Sequence, residues 1–176
     1  MTQKPNELKR LEELRRLMIL DSTEERDYND ITRLASGLCD APISLITLVD
    51  SDRQWFKSKV GLSISDTPRQ WSFCSHAIEE PDKVFVVTDA TKDDRFKDNP
   101  LVTGNPNIRF YAGAPLVTPS GEAIGSLCVM DSKPRDLAPE KLQELQLLAS
   151  QVVSMMEKRA EFLGLFEQDK SSDNPV

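Results

Sequence analysis

A pair of β-strands joined by a tight turn, from Arg109 to Asp131, constrains the fold of this chain more than any other segment. The segment is RFYAGAPLVTPSGEAIGSLCVMD, with its turn at residues 118–121. In that turn Pro119 presets φ at the second position, and Gly121 accepts a left-handed backbone. The segment therefore predicts an antiparallel hairpin.

The interior of this hairpin carries unusually little side-chain volume. The small residues are Ala112, Gly113, Ala114, Gly125 and Ser126. Glycine weakens a strand, and it usually marks a bulge or a close approach by another group. The sequence leaves open whether that group is a packed helix or a ligand.

Apolar periodicity predicts two helices before the first strand. The first is expected over residues 6–20, with an apolar stripe formed by Leu8, Leu11, Leu14, Leu17 and Met18. The second is expected to begin with a capping box at residues 22–25 and to run to about residue 40. Its predicted inward face consists of Ile31, Leu34, Ala35 and Leu38.

A long helix is predicted near the other end of the chain, where Pro139 suits the first turn. One apolar seam consists of Leu142, Leu145, Ala149, Val152, Met156 and Leu163. An adjacent seam consists of Leu148, Met155 and Phe162. Two seams indicate two packing partners, the sheet and another helix. Arg159 interrupts the first seam, and residues 167–176 are expected to be disordered.

The middle of the chain alternates strand pairs with short helices and loops. Strands are predicted at 43–50, 54–60 and 84–87, a short helix at 73–79, and a long irregular segment at 88–106. Short turns between paired strands favour an antiparallel sheet with helices packed on it. The predicted fold class is therefore α+β.

Composition narrows the classes of function. The 176 residues are 39% hydrophobic and 29% charged, with a net charge of -7. Without clustered lysine and arginine, we expect no nucleic-acid partner. Apolar runs are too short for a membrane helix and the first residues lack a secretory signal, so a cytoplasmic location is expected. Three distant cysteines argue against a disulfide framework.

Taken together, these segments resemble the GAF domain family, a sensory module of bacterial signalling proteins. The similarity is greatest to the kind found at the N-terminus of sensor histidine kinases and diguanylate cyclases. The matching segments are LMILDSTEERDYNDITRLA (17–35), ISLITLVDSDRQWFKSKVGL (43–62), SFCSHAI (72–78), VVTDATKDDRFKDNPLV (86–102) and the hairpin at 109–131.

The resemblance implies a GAF/PAS-like layout, with a central antiparallel sheet and terminal helices on one face. The other face would be covered by the helix near Phe73 and the segment 88–106, with a small ligand beneath this cover. It also implies a homodimer through the terminal helices. The expected divisions are an N-terminal helix at 1–20, a core at 21–138, a packing and signalling helix at 139–166, and the tail.

Differences from known GAF subfamilies limit the classes of ligand that this chain is expected to bind. The Asn-Lys-Phe-Asp-Glu pattern of cyclic-nucleotide binders is absent. Phytochrome-like domains attach a bilin through a cysteine directly followed by histidine, whereas this chain has Cys74-Ser75-His76. The cysteine set of GAF-type methionine sulfoxide reductases does not align with the cysteines here. The cofactor or ligand is therefore left unknown.

The residues predicted to contact a ligand are Phe73, Cys74, His76, Arg109, Tyr111 and Cys128. Arg109, Tyr111 and Gly113 share one strand face by their period of two, which suits an anionic or aromatic ligand. Arg109 has an alternative role, pairing with Asp89 or Asp94 to hold the covering segment.

Neither catalysis nor metal binding is expected. Cys74 and His76 are two residues apart on a predicted helix, so their side chains point to different sides. Three cysteines and one histidine match a zinc set in number but lack its spacing.

The predicted function is a non-enzymatic sensory domain that passes pocket occupancy to its terminal helices. It would act within a larger sensor or by docking to an output protein. Two alternatives remain, a ligand-free dimerisation or protein-interaction module and a thiol-based redox sensor using Cys74.

Overall fold

The structure, a computed structural model, describes the backbone of residues 6–172 and the side chains of residues 6–165. Within these residues the α-helices are Glu7–Arg16 (α1), Arg26–Cys39 (α2), Cys74–Ala77 (α3), Pro100–Thr103 (α4) and Pro139–Ser172 (α5). The strands are Ile43–Val49 (β1), Arg53–Val60 (β2), Asp66–Pro68 (β3), Phe85–Val87 (β4), Phe110–Val117 (β5) and Ala123–Asp131 (β6). Two short 3-10 helices occupy Arg69–Trp71 and Ala90–Lys92.

All six strands form one antiparallel sheet in the order β3-β2-β1-β6-β5-β4. The central strand β1 is buried along its whole length, because both faces of the sheet are covered. The predicted α+β class and the predicted hairpin of β5 and β6 are confirmed.

One face of the sheet is covered by the terminal helices. Alternate residues of the strands, such as Ile46 of β1 and Leu127 of β6, share a core with apolar residues of α1, α2 and α5. We refer to this side as the helix face. The first predicted seam of α5 lies there, and its central residues Val152 and Met156 are fully buried.

The second seam of α5 has a partner within the same chain. Leu148 is buried and Met155 packs on the same core, where α5 contacts α2 as well as β5. Only Phe162 of that seam is exposed, at 67%. The two seams predicted that α5 packs on another helix as well as on the sheet, and that helix is α2. The burial of Leu148 and Met155 therefore needs no second subunit.

The opposite side of the sheet is covered by α3, α4 and the segment between them. Phe73, Phe96, Val102 and Ile108 pack on strand residues such as Leu45 in a second core. We call this side the cover face and the residues 61–108 the cover, excepting the strands within it. Asp89 and Asn99 cap the short helices of the cover through their side chains.

The capping box predicted at the start of α2 is wrong. Ser22 donates to the carbonyl of Ile19, and the helix begins only at Arg26, with Glu25 at its N-cap and no side-chain cap bond. The side chains of Ser22 and Glu25 instead accept hydrogen bonds from Lys57. The ammonium group of Lys57 is buried and must be paired.

Several helix boundaries and faces also differ from the prediction. α1 ends at Arg16, because Met18 adopts a left-handed backbone with φ of 51°. Leu8 and Leu34 are exposed rather than inward-facing. α5 continues to Ser172, beyond the predicted end at 166, and residues 173–176 of the predicted tail lie outside the described residues.

The small hairpin residues are explained by contacts within the chain. Ala112 and Ala114 face the helices and share their core. At Gly113 a Cβ would lie 2.7 Å from Cζ of Tyr111, since the tyrosine ring lies back over the glycine. At Gly125 a Cβ would lie 2.9 Å from Cα of Leu48 in the neighbouring strand. The close approaches at the two glycines therefore come from a tyrosine and a strand backbone.

Substitution of Gly113 tests this explanation. Gly113→Ala would force the Tyr111 ring out of its position, and we expect it to lower the free energy of unfolding by about 2 kcal/mol. Urea denaturation measures the change. The control is Gly37→Ala in α2, where nothing lies within 4 Å of the added Cβ and a gain of about 0.5 kcal/mol is expected. Equal effects of the two substitutions would contradict the explanation.

Candidate functional site

A small cavity lies between the sheet and the cover. Its volume is about 20 Å³, roughly the space that one water molecule requires. It is lined by Leu45, Gln54, Phe56, Leu62, Ile64, Thr67, Phe73, Cys74, Leu101, Pro106, Ile108, Tyr111, Cys128 and Met130. The cover thus packs closely on the sheet, and a molecule larger than water requires the cover to move.

The lining of this cavity is uncharged and mostly apolar. Among the described residues that line it, the polar groups belong to Gln54, Thr67, Cys74, Tyr111 and Cys128. An anion placed here would lose its hydration without gaining a cation in return, which is costly. The site therefore suits a small uncharged molecule.

The polar groups of Gln54 and Thr67 are joined in a chain of hydrogen bonds. The Gln54 amide donates to Thr67 Oγ1 at 3.2 Å, and Ser72 Oγ donates to the Gln54 carbonyl oxygen. Ser72 also accepts from the backbone N–H of Ser75 at the start of α3. This chain connects β2 and β3 with the helix that carries Cys74.

A second polar cluster surrounds the sulfur of Cys74 at the floor of the cavity. Thr47 Oγ1 and Ser126 Oγ donate to Cys74 Sγ at 3.1 and 2.9 Å. The Tyr111 hydroxyl lies 3.0 Å from the same sulfur and 3.2 Å from Ser126 Oγ. All four residues are buried. Hydroxyls from β1, β5 and β6 therefore converge on one thiol.

Because of this cluster, the thiols of Cys74 and Cys128 differ in pKa. Burial alone would raise the pKa of Cys74, but hydrogen bonds from Cys128, Ser126, Thr47 and Tyr111 outweigh it and lower the pKa to about 7. Burial, with Cys74 as neighbour, raises the pKa of Cys128 well above its usual value. The same two causes raise the pKa of Tyr111. A proton is therefore lost first from Cys74.

Four of the six predicted ligand residues line the cavity. They are Phe73, Cys74, Tyr111 and Cys128. Phe73 stacks on Phe96 with ring centroids 4.1 Å apart and on Tyr111 at 5.2 Å, so it joins the cover to the sheet.

The other two predicted residues lie outside the cavity lining. His76 packs in the cover against Phe96 and Phe85, and burial lowers its pKa. Arg109 donates to the carbonyl oxygens of Val102 and Ile108 at 2.8 and 3.1 Å. It therefore holds the cover, as its alternative role predicted, but through backbone carbonyls rather than Asp89 or Asp94.

Thr47, Ser126, Gln54 and Thr67 were not predicted as site residues. A signal for two of them exists in the sequence. In β6, Ser126 precedes Cys128 and Met130 by the strand period of two, and in β1 Thr47 alternates with Leu45 and Val49. A polar residue on an otherwise apolar face marks a functional or hydrogen-bonded position. For Gln54 and Thr67 no comparable pattern is present.

An ionic network lies directly behind the cavity. Phe56 lines the cavity, and the next residue of β2, Lys57, points to the helix face. Glu25 accepts from Lys57 and, at 2.9 Å, from Arg159 of α5. Burial alone would raise the pKa of Glu25, but Lys57 and Arg159 hold it below its usual value. The network thus joins β2, the start of α2 and the long C-terminal helix.

Comparison with known proteins gives consistent matches. The family model of the GAF domain matches residues 8–155. A cyclic di-GMP phosphodiesterase of Pseudomonas aeruginosa is 47% identical over 125 residues, which are 71% of this chain and 21% of that protein. The chain therefore spans about a fifth of the length of this curated relative.

Solved structures show the same fold. A domain of a putative two-component sensor histidine kinase from Sinorhizobium meliloti has a TM-score of 0.59 at 21% identity, covering 79% of this chain and 95% of that one. The GAF domain of an Acinetobacter phosphoenolpyruvate-protein phosphotransferase has a TM-score of 0.63 at 17% identity, with 89% and 95% covered.

Two further observations concern only the part of the chain that the structure describes. No helix there combines the length and hydropathy needed to cross a membrane. No group of three or more histidine, cysteine or acidic side chains there could hold a metal ion.

The role of Arg109 in holding the cover can be tested directly. In Arg109→Ala, the carbonyl of Val102 loses its guanidinium donor, and we expect local opening of residues 99–108 to become easier by about 1 kcal/mol. Amide hydrogen exchange of this segment should then accelerate about fivefold. Arg109→Lys keeps a cationic donor and should show a smaller change. Unaltered exchange in the alanine variant would contradict the assigned role.

Proposed function

Because the chain belongs to the GAF domain family, we propose that it is the sensory domain of a bacterial signalling protein. The observation that carries this proposal is the cavity between sheet and cover, where two sets of hydrogen-bonded polar groups meet an apolar lining. An apolar lining with a few placed polar groups is typical of small-molecule sites, which are larger than this cavity.

The ligand that fits this lining is small and uncharged. Gln54 and Thr67 would provide an amide and a hydroxyl at one place, and Tyr111 a hydroxyl at another. Since the cavity holds only about 20 Å³, binding would shift the cover toward an opened arrangement. A ligand changes such an equilibrium only by the difference in its affinity for the two states.

The signal would pass through the sheet to α5. A displaced Phe56 moves its neighbour Lys57, and Lys57 is bound to Glu25, which also holds Arg159. The Lys57 side chain is fully buried, so its ammonium group resists separation from the Glu25 carboxylate that pairs with it. Movement of β2 would therefore be passed on to α5 and to the α1–α2 connection.

We propose that this domain regulates an activity rather than catalysing one itself. The curated relative is a cyclic di-GMP phosphodiesterase, so an output of this type, in the same chain or a partner, is the first candidate. Histidine kinases are a second candidate, through the fold that one of them shares.

The second candidate function is a dimerisation or protein-interaction module. The small cavity favours it, as do exposed apolar residues on α5. These are Leu147, Phe162 and Leu165, with 67%, 67% and 58% exposure. We propose that they contribute to a homodimer, whether or not a ligand also binds.

Native and denaturing mass spectra of the freshly purified chain test the sensory proposal. We expect an added small mass in the native spectrum that disappears on denaturation. Leu101→Trp places an indole ring at the cavity wall formed by α4. It should reduce the fraction of the chain that carries the added mass about tenfold. Leu34→Trp, at an exposed position of α2, is the control and should retain the added mass.

The alternative has its own expected result in this experiment. A bare chain in the native spectrum, with no rise in melting temperature across a panel of small uncharged compounds, would favour the ligand-free module. Retention of the added mass by Leu101→Trp would place the ligand elsewhere.

The proposed dimer is tested by sedimentation. Phe162→Asp combined with Leu147→Asp would place charges on the apolar surface of α5, and we expect dimer dissociation to increase at least about 100-fold. Leu34→Asp introduces the same charge at an exposed leucine of α2 and should leave the dimer intact. A wild-type chain that is monomeric at high concentration would exclude the dimer.

A further inference from the structure

The floor of the cavity contains two thiols in one polar cluster, and their chemistry goes beyond ligand binding. We propose that Cys74 and Cys128 form a redox-active pair, in which a small hydroperoxide oxidises Cys74 and Cys128 then closes a disulfide. Both residues are free thiols in this structure. Both line the same cavity.

The first observation is the number of donors around Cys74. Thr47 and Ser126 donate to its sulfur, and the Tyr111 hydroxyl lies within the same range at 3.0 Å. A neutral thiol needs at most one or two weak acceptor bonds, whereas a thiolate requires several donors once it is removed from water. Up to three hydroxyls can therefore donate to a negative sulfur at this position without a cation, and together with Cys128 they lower the pKa of Cys74 to about 7.

The second observation is the position of Cys128. Cys128 lines the same cavity as Cys74, two residues along β6 from Ser126, whose Oγ lies 2.9 Å from Cys74 Sγ, and burial keeps Cys128 protonated. Cys74 is therefore the reactive thiol of the pair, because the thiolate is the nucleophile. Cys128 stays protonated until Cys74 has been oxidised. Redox-sensing cysteines commonly have a second thiol next to them that resolves the oxidised form.

The third observation concerns the access of an oxidant to Cys74. The residues that line the cavity include Cys74, which is buried, and Ile64, a surface residue that is 42% exposed. With about 20 Å³ and no charged lining residue, the cavity selects a reagent that is uncharged and close to water in size. Hydrogen peroxide has these properties, and bulky or anionic oxidants do not.

The third cysteine provides an internal comparison. Cys39 is buried in the core of the helix face, and burial raises its pKa. It has neither the donors nor the cavity of Cys74. Cys39 should therefore remain reduced while the pair reacts.

The reaction balances with the peroxide as the only oxidant. The Cys74 thiolate attacks one peroxide oxygen, the O–O bond breaks, and the departing hydroxide takes up a proton to form water. Cys74 becomes a sulfenic acid. The Cys128 sulfur then attacks the Cys74 sulfur, and the hydroxyl leaves with the Cys128 proton as a second water. Two thiols have lost two electrons and one peroxide has gained them.

The product would join α3 in the cover to β6 in the sheet. The cover could then no longer open at this point. This consequence deepens the proposed sensory function and rests on it, since the locked cover would act on the same path to α5. The thiol chemistry itself does not depend on it.

Peptide mapping of the reduced chain after stoichiometric hydrogen peroxide tests the pair. We expect a loss of about 2 Da and a single linked peptide containing Cys74 and Cys128. Cys39→Ser should behave in the same way, and Cys74→Ser should not react. Cys128→Ser should stop at the sulfenic acid, with a gain of about 16 Da in the mass of the chain.

The role of the donors is tested by the combined variant Thr47→Val with Ser126→Ala. If the pKa returns to about 8.5, the thiolate fraction at pH 7 falls about 15-fold, and greater intrinsic nucleophilicity recovers about fivefold. The net rate at which hydrogen peroxide oxidises Cys74 at pH 7 should fall about threefold, and the midpoint of its pH profile should rise. Circular dichroism establishes that the variant is folded.

Oxidation of Cys74 no faster than that of Cys39 would overturn the proposal, and so would a wild-type chain that accumulates sulfenic acid without a disulfide. Both results come from the unmodified chain and need no variant to fold. They would leave the native mass spectrum of the reduced protein unchanged, so failure of the redox pair is distinguishable from failure of the sensory proposal.

Discussion

The position of the Tyr111 ring over Gly113 is the interaction on which the site depends. A side chain at residue 113 would occupy the same space, so the ring can lie along its own strand only because that residue is glycine. Its hydroxyl then reaches Cys74 and Ser126, and its face stacks with Phe73. One tyrosine therefore connects the hairpin with the cover and completes the polar cluster at the cavity floor.

The sheet separates two cores whose roles differ. Residues on the helix face pack in a continuous apolar core, which gives a stiff support. On the cover face, short helices are held by aromatic stacking, by side-chain caps at their N-termini and by the hydrogen bond from Arg109 to the Val102 carbonyl. Segments with few regular hydrogen bonds open more easily than long helices and strands. We therefore expect the part of the domain over the cavity to open more easily than the rest.

The charge distribution decides which molecules the cavity can accept. Arg109 was predicted to face an anionic ligand, but its guanidinium is engaged with backbone carbonyls of the cover. Behind the sheet, by contrast, Glu25 binds both Lys57 and Arg159. In the proposed function, recognition at the cavity would rely on shape and neutral hydrogen bonds, whereas the connection to α5 would rely on paired charges.

The sequence by itself determined the elements that short-range rules specify. The turn at Pro119 and Gly121, the β-prone segment at 43–50 and the apolar seam of α5 predicted the antiparallel sheet with a long helix on it. Only the tertiary structure grouped Thr47, Ser126 and Tyr111 around Cys74, from which they are 27, 52 and 37 residues distant. Local patterns record which face a side chain occupies. Which side chains meet across that face depends on how the cover packs on the sheet, and this long-range packing also placed His76 and Arg109 outside the cavity.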